Sequence, residues 1–195
     1  METNPQPNLA SKSGPNPDPD PPFCAACAAK SNTCCFVEPG SEIYCFPISL
    51  AEQQRIAQLD PSFEKNFTPE NNSPEFMQAM HSLFPGEKKA LEKIFAPDEQ
   101  HLRLATLPAG HCVFLKETGC ALPRNARPWF CKLFPLWVYQ QELTAFTPKY
   151  CLLTKAAKTP LAVLQKLELT LEEAQHTYNQ LRLDWGLVPQ RAKLP

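Results

Sequence analysis

The thirteen residues 23–35, FCAACAAKSNTCC, hold four of the chain's nine cysteines. Thiolates are soft ligands that select zinc, copper(I) and iron–sulfur centres, and paired thiols also exchange disulfides. The two residues between Cys24 and Cys27 let both Cβ vectors converge on one side of a tight loop, as a metal knuckle or a redox dithiol requires. A redox dithiol normally opens a helix after a strand of a βαβ unit, whereas this pair follows a proline-rich stretch, so metal ligation is the favoured reading. Cys34 and Cys35 are adjacent. Neighbouring side chains point to opposite faces of a strand or diverge by about 100° around a helix. Either one of this pair binds while the other packs, or the two serve different centres.

A tetrahedral zinc, or a cubane cluster with a protein ligand at every corner, takes four thiolates. Further thiols lie in HCVFLKETGCALPRNARPWFCKLFPLWV, where seven residues separate Cys112 from Cys120 and ten separate Cys120 from Cys131, with Cys151 following in KYCLL. Cys112 is expected on a hairpin, Cys120 in a turn after Gly119, and Cys131 on a short helix begun by Pro128. A zinc ribbon carries two CxxC knuckles and only one is present, while the common ferredoxin spacings are absent as well. Spacing therefore leaves zinc and iron both open. Of the four histidines, 81, 101, 111 and 176, only His111 adjoins a cysteine, as a ligand, a second donor or an ordinary turn residue. Arg127 has two readings: its guanidinium neutralises an anionic thiolate cluster or grips a substrate carboxylate, or it is a structural ion pair or cap.

In their order, the CxxC, the CC pair, Cys112 and the segment GCALPRNARPWFCKLFP resemble the YkgJ-type cysteine-cluster family, described as zinc- or iron-chelating. The similarity covers residues 23 to about 151 and rests on seven cysteines with Arg127, Pro128, Phe134 and Pro135, Cys151 matching a frequent late cysteine. The ISLAEQQRIAQL helix is similar too. Ala28-Ala29 stands where a glycine often adjoins the CxxC, and Cys45 is additional, expected as a buried thiol. The resemblance implies metal binding, foremost an iron–sulfur cluster, by Cys24, Cys27, Cys34, Cys35, Cys112, Cys120, Cys131 and Cys151, with Arg127 beside the cofactor. The flagellin lysine N-methylase group is similar in these cysteines and implies methyl transfer from S-adenosylmethionine to a protein or small-molecule substrate. No Gly-rich dinucleotide-type loop and no CxxxCxxC motif of radical enzymes is present, so an enzymatic role stays open. The alternative is a non-catalytic structural zinc-binding module.

A chain of 195 residues is long enough to bury a core, so a metal is not required merely for folding. Its 19 Lys and Arg balance 20 Asp and Glu to a formal charge of -1, and no basic stripe predicts a nucleic-acid partner. Apolar runs such as 133–139, broken by Pro135, fall short of the roughly 20 residues of a membrane span. The opening METNPQPNLASKSG lacks the pattern of a secretory signal. The expectation is a soluble cytoplasmic protein, where clustered thiols are metal ligands or redox groups and not staples.

The elements that must position these thiols are those of an α+β fold, with a small cysteine-rich antiparallel portion around a metal site, wrapped by helices. Residues 1–22, with seven prolines, read as a disordered tail, 23–155 as the metal-binding domain, and 156–195 as a helical segment packed on it. Ile43, Tyr44 and Phe46 suggest a strand. Ser49 with Glu52 forms a capping box for a helix carrying Leu50, Ile56 and Leu59, and Thr170 with Glu173 forms another for a helix to about Trp185. Ser73-Pro74 and Thr159-Pro160 open further helices, and one more spans Glu87 to Phe95. LRLATLPAGHCVFL and LWVYQQELTAF read as hairpins.

Overall fold

Five aromatic rings surround the Trp137 indole: Phe46, Phe84, Phe130, Phe146 and Tyr178, at centroid distances between 5.1 and 6.0 Å. The indole N–H donates to the Leu83 carbonyl at 3.0 Å, so the largest buried side chain of this cluster is also satisfied as a polar group. In this computed structural model, which describes residues 22–30, 33–59, 63–149 and 151–194, the fold is α+β, with eight α-helices and three two-stranded antiparallel sheets among the described residues. The tail expected over 1–22 lies outside them apart from Pro22.

Helix α1 spans Pro22–Ala28 and α2 Leu50–Ala57. Strand β1 (Phe67–Asn71), helices α3 (Pro74–Leu83) and α4 (Lys88–Ile94), and strand β2 (Gln100–Leu104) follow. Next come the two-residue strands β3 (Leu115–Lys116) and β4 (Gly119–Cys120), then α5 (Trp129–Leu133). Strands β5 (Leu136–Tyr139) and β6 (Glu142–Ala145) and helices α6 (Leu152–Ala156), α7 (Pro160–Lys166) and α8 (Leu171–Asp184) complete the chain. The principal core unites α3, α4, α5, β5, β6 and α6 to α8. Among the described residues no helix is long and apolar enough to cross a membrane.

The helix starts are set by side-chain oxygens that accept backbone N–H groups lacking an intrahelical partner. Ser49 and Thr170 form complete capping boxes with Glu52 and Glu173, and Ser73 and Thr159 cap helices that begin with proline. In the β5–β6 hairpin, Gln140 and Gln141 both have positive φ, 50° and 66°, the conformation whose twist matches that of the flanking strands.

Three expectations about local structure are corrected. Residues Glu42–Tyr44 form a 3₁₀ turn and not a strand: Tyr44 points to solvent, while Phe46 turns inward to stack on Phe130 at 4.5 Å. In α2 the buried face is Glu52 and Ile56, whereas Leu50 and Leu59 are 67% and 52% exposed. The apolar run at 100–104 pairs with β1, from Phe67 opposite Leu104 to Asn71 opposite Gln100, in preference to the run after Gly110. Pro69 disguised β1, yet a two-stranded sheet has free edges where a residue without an N–H is accommodated. The anticipated hairpin contracts to a bridge between Thr106 and Cys112, with the Leu107 N–H donating to His111 at 2.7 Å.

His101 on β2 is buried against Phe76, with ring centroids 3.9 Å apart. Because Asn72 donates its amide to Ala96 at 2.7 Å, its oxygen accepts from His101 Nδ1, 2.8 Å away, which places a proton on Nδ1. Burial lowers the imidazole pKa from 6.5 to about 4. Between those values the unfolded chain takes up a proton that the folded chain refuses, so stability falls as pH falls. The full shift corresponds to about 3 kcal/mol, and solvent screening reduces it toward about 2. Urea unfolding from pH 7 to pH 4 is expected to show this extra loss in the wild type and a shallower slope in His101→Gln.

Candidate metal centre

Eight of the nine cysteines line one cavity of about 120 Å³: Cys24, Cys27, Cys34, Cys35, Cys112, Cys120, Cys131 and Cys151. A single water needs roughly 10–15 Å³ of such space, so there is room for a polyatomic occupant. Phe130 and Phe134 stand in its wall and Arg127 contributes to it. The thiols come from six separate stretches of chain, each held by its own local structure.

Cys24 and Cys27 lie on α1 and not on the tight loop expected from the CxxC; a spacing of three puts both on one helix face. That helix packs against β4 and α6, which carry Cys120 and, at the α6 N-cap, Cys151. Cys34 and Cys35 sit in a turn, where the Cys35 N–H donates to Thr33 Oγ1 at 3.0 Å. A turn follows neither the strand nor the helix rule for neighbours, and both residues of the pair line the same cavity.

Gly110 brings the first cluster to the second. Its carbonyl accepts the Val37 N–H at 2.9 Å, and one register further the Cys112 N–H donates to the Cys35 carbonyl at 2.8 Å. At Gly110 φ is +88°, and a Cβ there would stand 2.1 Å from the Val37 oxygen. Only glycine both adopts this φ freely and admits so close a strand. Cys120 pairs with Leu115 across the β3–β4 hairpin.

Cys131 depends on α5, a helix of five residues that would not stand alone. It is held by Glu52, 2% exposed, whose Oε2 accepts the Ser49 N–H at 2.8 Å while Oε1 accepts the Trp129 N–H at 2.7 Å. Asp184 of α8 accepts the Trp129 indole N–H at 2.7 Å and the Ser49 hydroxyl at 3.2 Å, and pairs with Arg55 at 3.6 Å. Arg55 and Lys132 lie over the Trp129 ring, 4.4 and 4.0 Å from its centroid. Cys131 is exposed and is among the residues that line the cavity.

The electrostatics divide across the cavity. Burial, with repulsion from Cys35, Cys120 and Cys45, pushes the Cys112 thiol up to about 12. Desolvation by the surrounding protein, with repulsion from Cys35, Cys112, Cys120 and Glu52, raises Cys131 above the usual thiol range, a push that the residue's solvent-exposed surface moderates. These side chains resist losing protons together unless a cation is supplied. Beside them Lys132 is lowered to about 8, chiefly by burial and also by Arg55, Arg124 and Arg127. Arg127 is buried and donates to the carbonyls of Leu122 and Cys120 at 2.8 and 3.4 Å. It thus ties the β4 loop in place and puts a fixed positive charge in the wall.

Cys45 is outside this cavity and half-buried, with its thiol pKa raised mainly by burial. His111 packs on Phe36, ring centroids 5.2 Å apart, and does not line the cavity. Among the described residues no three or more His, Cys, Asp or Glu side chains stand close enough to share one metal ion; the sulfurs are set around a space and not at a point. Comparison with known protein families, with curated proteins and with solved structures gave no match. Sequence reasoning missed Glu52, Asp184 and Trp129 as the supports of Cys131. The capping box signalled Glu52 only as part of its own helix.

Gly110→Ala is expected to cost about 3 kcal/mol or more, from the forced φ together with the clash, measured by chemical denaturation. Glu52→Ala leaves the N–H groups of Ser49 and Trp129 without their acceptor and is expected to cost about 3 kcal/mol. Amide hydrogen exchange should then accelerate at 129–133 before it does at 171–184.

Proposed function

We propose that this chain is a metal-chelating cysteine-cluster protein whose thiol-lined cavity holds an iron–sulfur cluster. The observation that carries the reading is the convergence of eight cysteines from six stretches of chain on one cavity. Apolar packing accounts for Cys112, Cys120 and Cys151, which lie against the hydrophobic clusters, but Cys24, Cys27, Cys34, Cys35 and Cys131 belong to neither cluster and gather at the same cavity. The donor chemistry fits: softness selects zinc, copper(I) or iron–sulfur centres, and the fixed charge of Arg127 and its cationic neighbours suits an anionic thiolate assembly. A cluster, when bound, would supply electron transfer or, at an iron atom not taken up by thiolate, a Lewis-acid site.

Zinc is the competing occupant, as a structural module without chemistry. A single four-thiolate zinc site uses half of the eight thiols, as a single cubane cluster does, so the metal and sulfide content of the protein, and not the thiol count, separates the two. The aromatic core also gives the chain a source of stability independent of any metal. Methyl transfer from S-adenosylmethionine enters this reading through the resemblance in cysteine order, with a protein or small-molecule substrate, in a reducing cytoplasmic setting.

Protein purified without oxygen is expected to be brown, with visible absorption and with iron and acid-labile sulfide in stoichiometric amounts. Cys112→Ser and Cys131→Ser should each lower the iron content, whereas Cys45→Ser should leave it unchanged. Cys34→Ser and Cys35→Ser, made separately, show whether both members of the pair are ligands. A colourless sample with stoichiometric zinc that resists cluster reconstitution would overturn the iron–sulfur reading in favour of the structural zinc module. S-Adenosylmethionine added to the loaded protein should perturb its visible spectrum if methyl transfer is the reaction.

A further inference from the structure

A groove of about 300 Å³ runs along the aromatic core beside the 3₁₀ turn of Glu42–Tyr44. Four rings form one continuous wall, with centroids 4.5 Å apart from Phe46 to Phe130, 5.8 Å from Phe130 to Phe134 and 5.9 Å from Phe134 to Phe146. Each of the four is only partly buried, so each keeps ring surface in contact with solvent. Tyr44 stands at the rim, 71% exposed. Among the described residues no Asp, Glu, Lys, Arg or His lines the groove.

An aromatic, uncharged groove is the surface on which proline-rich segments dock, because such segments are extended before they bind and set their pyrrolidine rings against aromatic faces. The chain carries a segment of this kind. Residues 15–22, PNPDPDPP, place a proline at every second position and end on a proline pair. Proline fixes its own φ and disfavours the helical region for the residue before it. Covalent geometry therefore removes much of the conformational freedom that docking would otherwise cost. At three residues per turn of a polyproline II helix, Asp18 and Asp20 fall on two faces. Asn16 and Pro19 share the third, which brings no charge into an uncharged groove.

The run joins the described chain at Pro22, the first residue of α1. Phe23, the next residue, lines the thiol cavity, and that cavity shares the Phe130 and Phe134 rings with the groove. The residues before Pro22 can extend to about 65 Å at about 3.1 Å each, so reach does not limit them. A short tether holds its ligand at an effective concentration of about a millimolar, and modest contacts then suffice. We propose that the proline-rich run 15–21 docks in this groove, the Pro19 face against the wall from Phe46 to Phe134. The segment that precedes α1 thereby covers rings that also wall the thiol cavity, whatever that cavity holds.

The test is nuclear magnetic resonance of the full ¹³C,¹⁵N-labelled chain beside a variant with Pro15→Ser, Pro17→Ser and Pro19→Ser made together, positions outside every described element. In the wild type, Overhauser contacts should join the Hδ protons of these prolines to the rings of Tyr44, Phe46 or Phe134. The methyl groups of Ile43 and Ala79, which line the groove, should shift between wild type and variant. A synthetic peptide of residues 1–21, added to the variant, should restore the wild-type shifts saturably. Tyr44→Ala, at an exposed rim position, should weaken the Overhauser contacts while leaving the thermal midpoint unchanged. Identical methyl shifts in wild type and variant, without Overhauser contacts, would overturn the proposal and leave the groove to a partner in trans. Shifts that depend on protein concentration, with a dimer mass in sedimentation, would overturn it in favour of a second copy of the chain.

Discussion

The carboxylate of Glu52 ties the start of α2 to the start of α5, 77 positions further along the chain. One oxygen closes the capping box of its own helix and the other accepts the first N–H of α5. Burial raises the pKa of this carboxyl, opposed by the hydrogen bonds from Ser49 and Trp129 and by Arg55. Those partners are what make a buried carboxylate tolerable. With Asp184 receiving the indole of the same Trp129, three helices distant in sequence are locked at one residue. Cys131, two positions beyond, inherits its place from that lock.

The aromatic core and the thiol cavity share a wall. Phe130 stacks on Phe46 and packs near Trp137 with one part of its surface while lining the cavity with another. Phe134, stacked on Phe146 at 5.9 Å, does the same. The core therefore supplies a rigid side to the cavity, because close-packed interiors resist displacement. Other parts of the lining come from short pieces, α1, the 33–36 turn and the β3–β4 hairpin, none of which buries enough surface to fold by itself. Their positions depend on backbone pairing, at Gly110 above all, and on contacts with one another.

Around the thiol cavity, thiols are crowded until ionising them together becomes unfavourable, and positive side chains are arranged nearby. That electrostatic balance is set by groups that the fold has already fixed, so it persists without reorganisation of the surrounding chain.

The sequence by itself determined the helix starts, because a capping serine or threonine acts on N–H groups two or three positions away and proline restricts only its neighbourhood. Ser49, Ser73, Thr159 and Thr170 all do what their local context specifies. The Gln140-Gln141 turn was legible from alternation on either side of it. So was the set of cysteines to watch, since thiol clustering is a property of composition and spacing. Tertiary structure decided which apolar residues face inward: Leu50 is exposed, whereas Phe46 is partly buried against the principal core, although each stood in an apolar pattern. It decided that β2 pairs with the proline-bearing β1, that the CxxC lies on a helix, and that Cys34 and Cys35 face one space. It also recruited Glu52 and Asp184 to hold Trp129. These outcomes turn on pairings across long sequence separations, whose energies come from burial and mutual satisfaction of polar groups and leave no local signature.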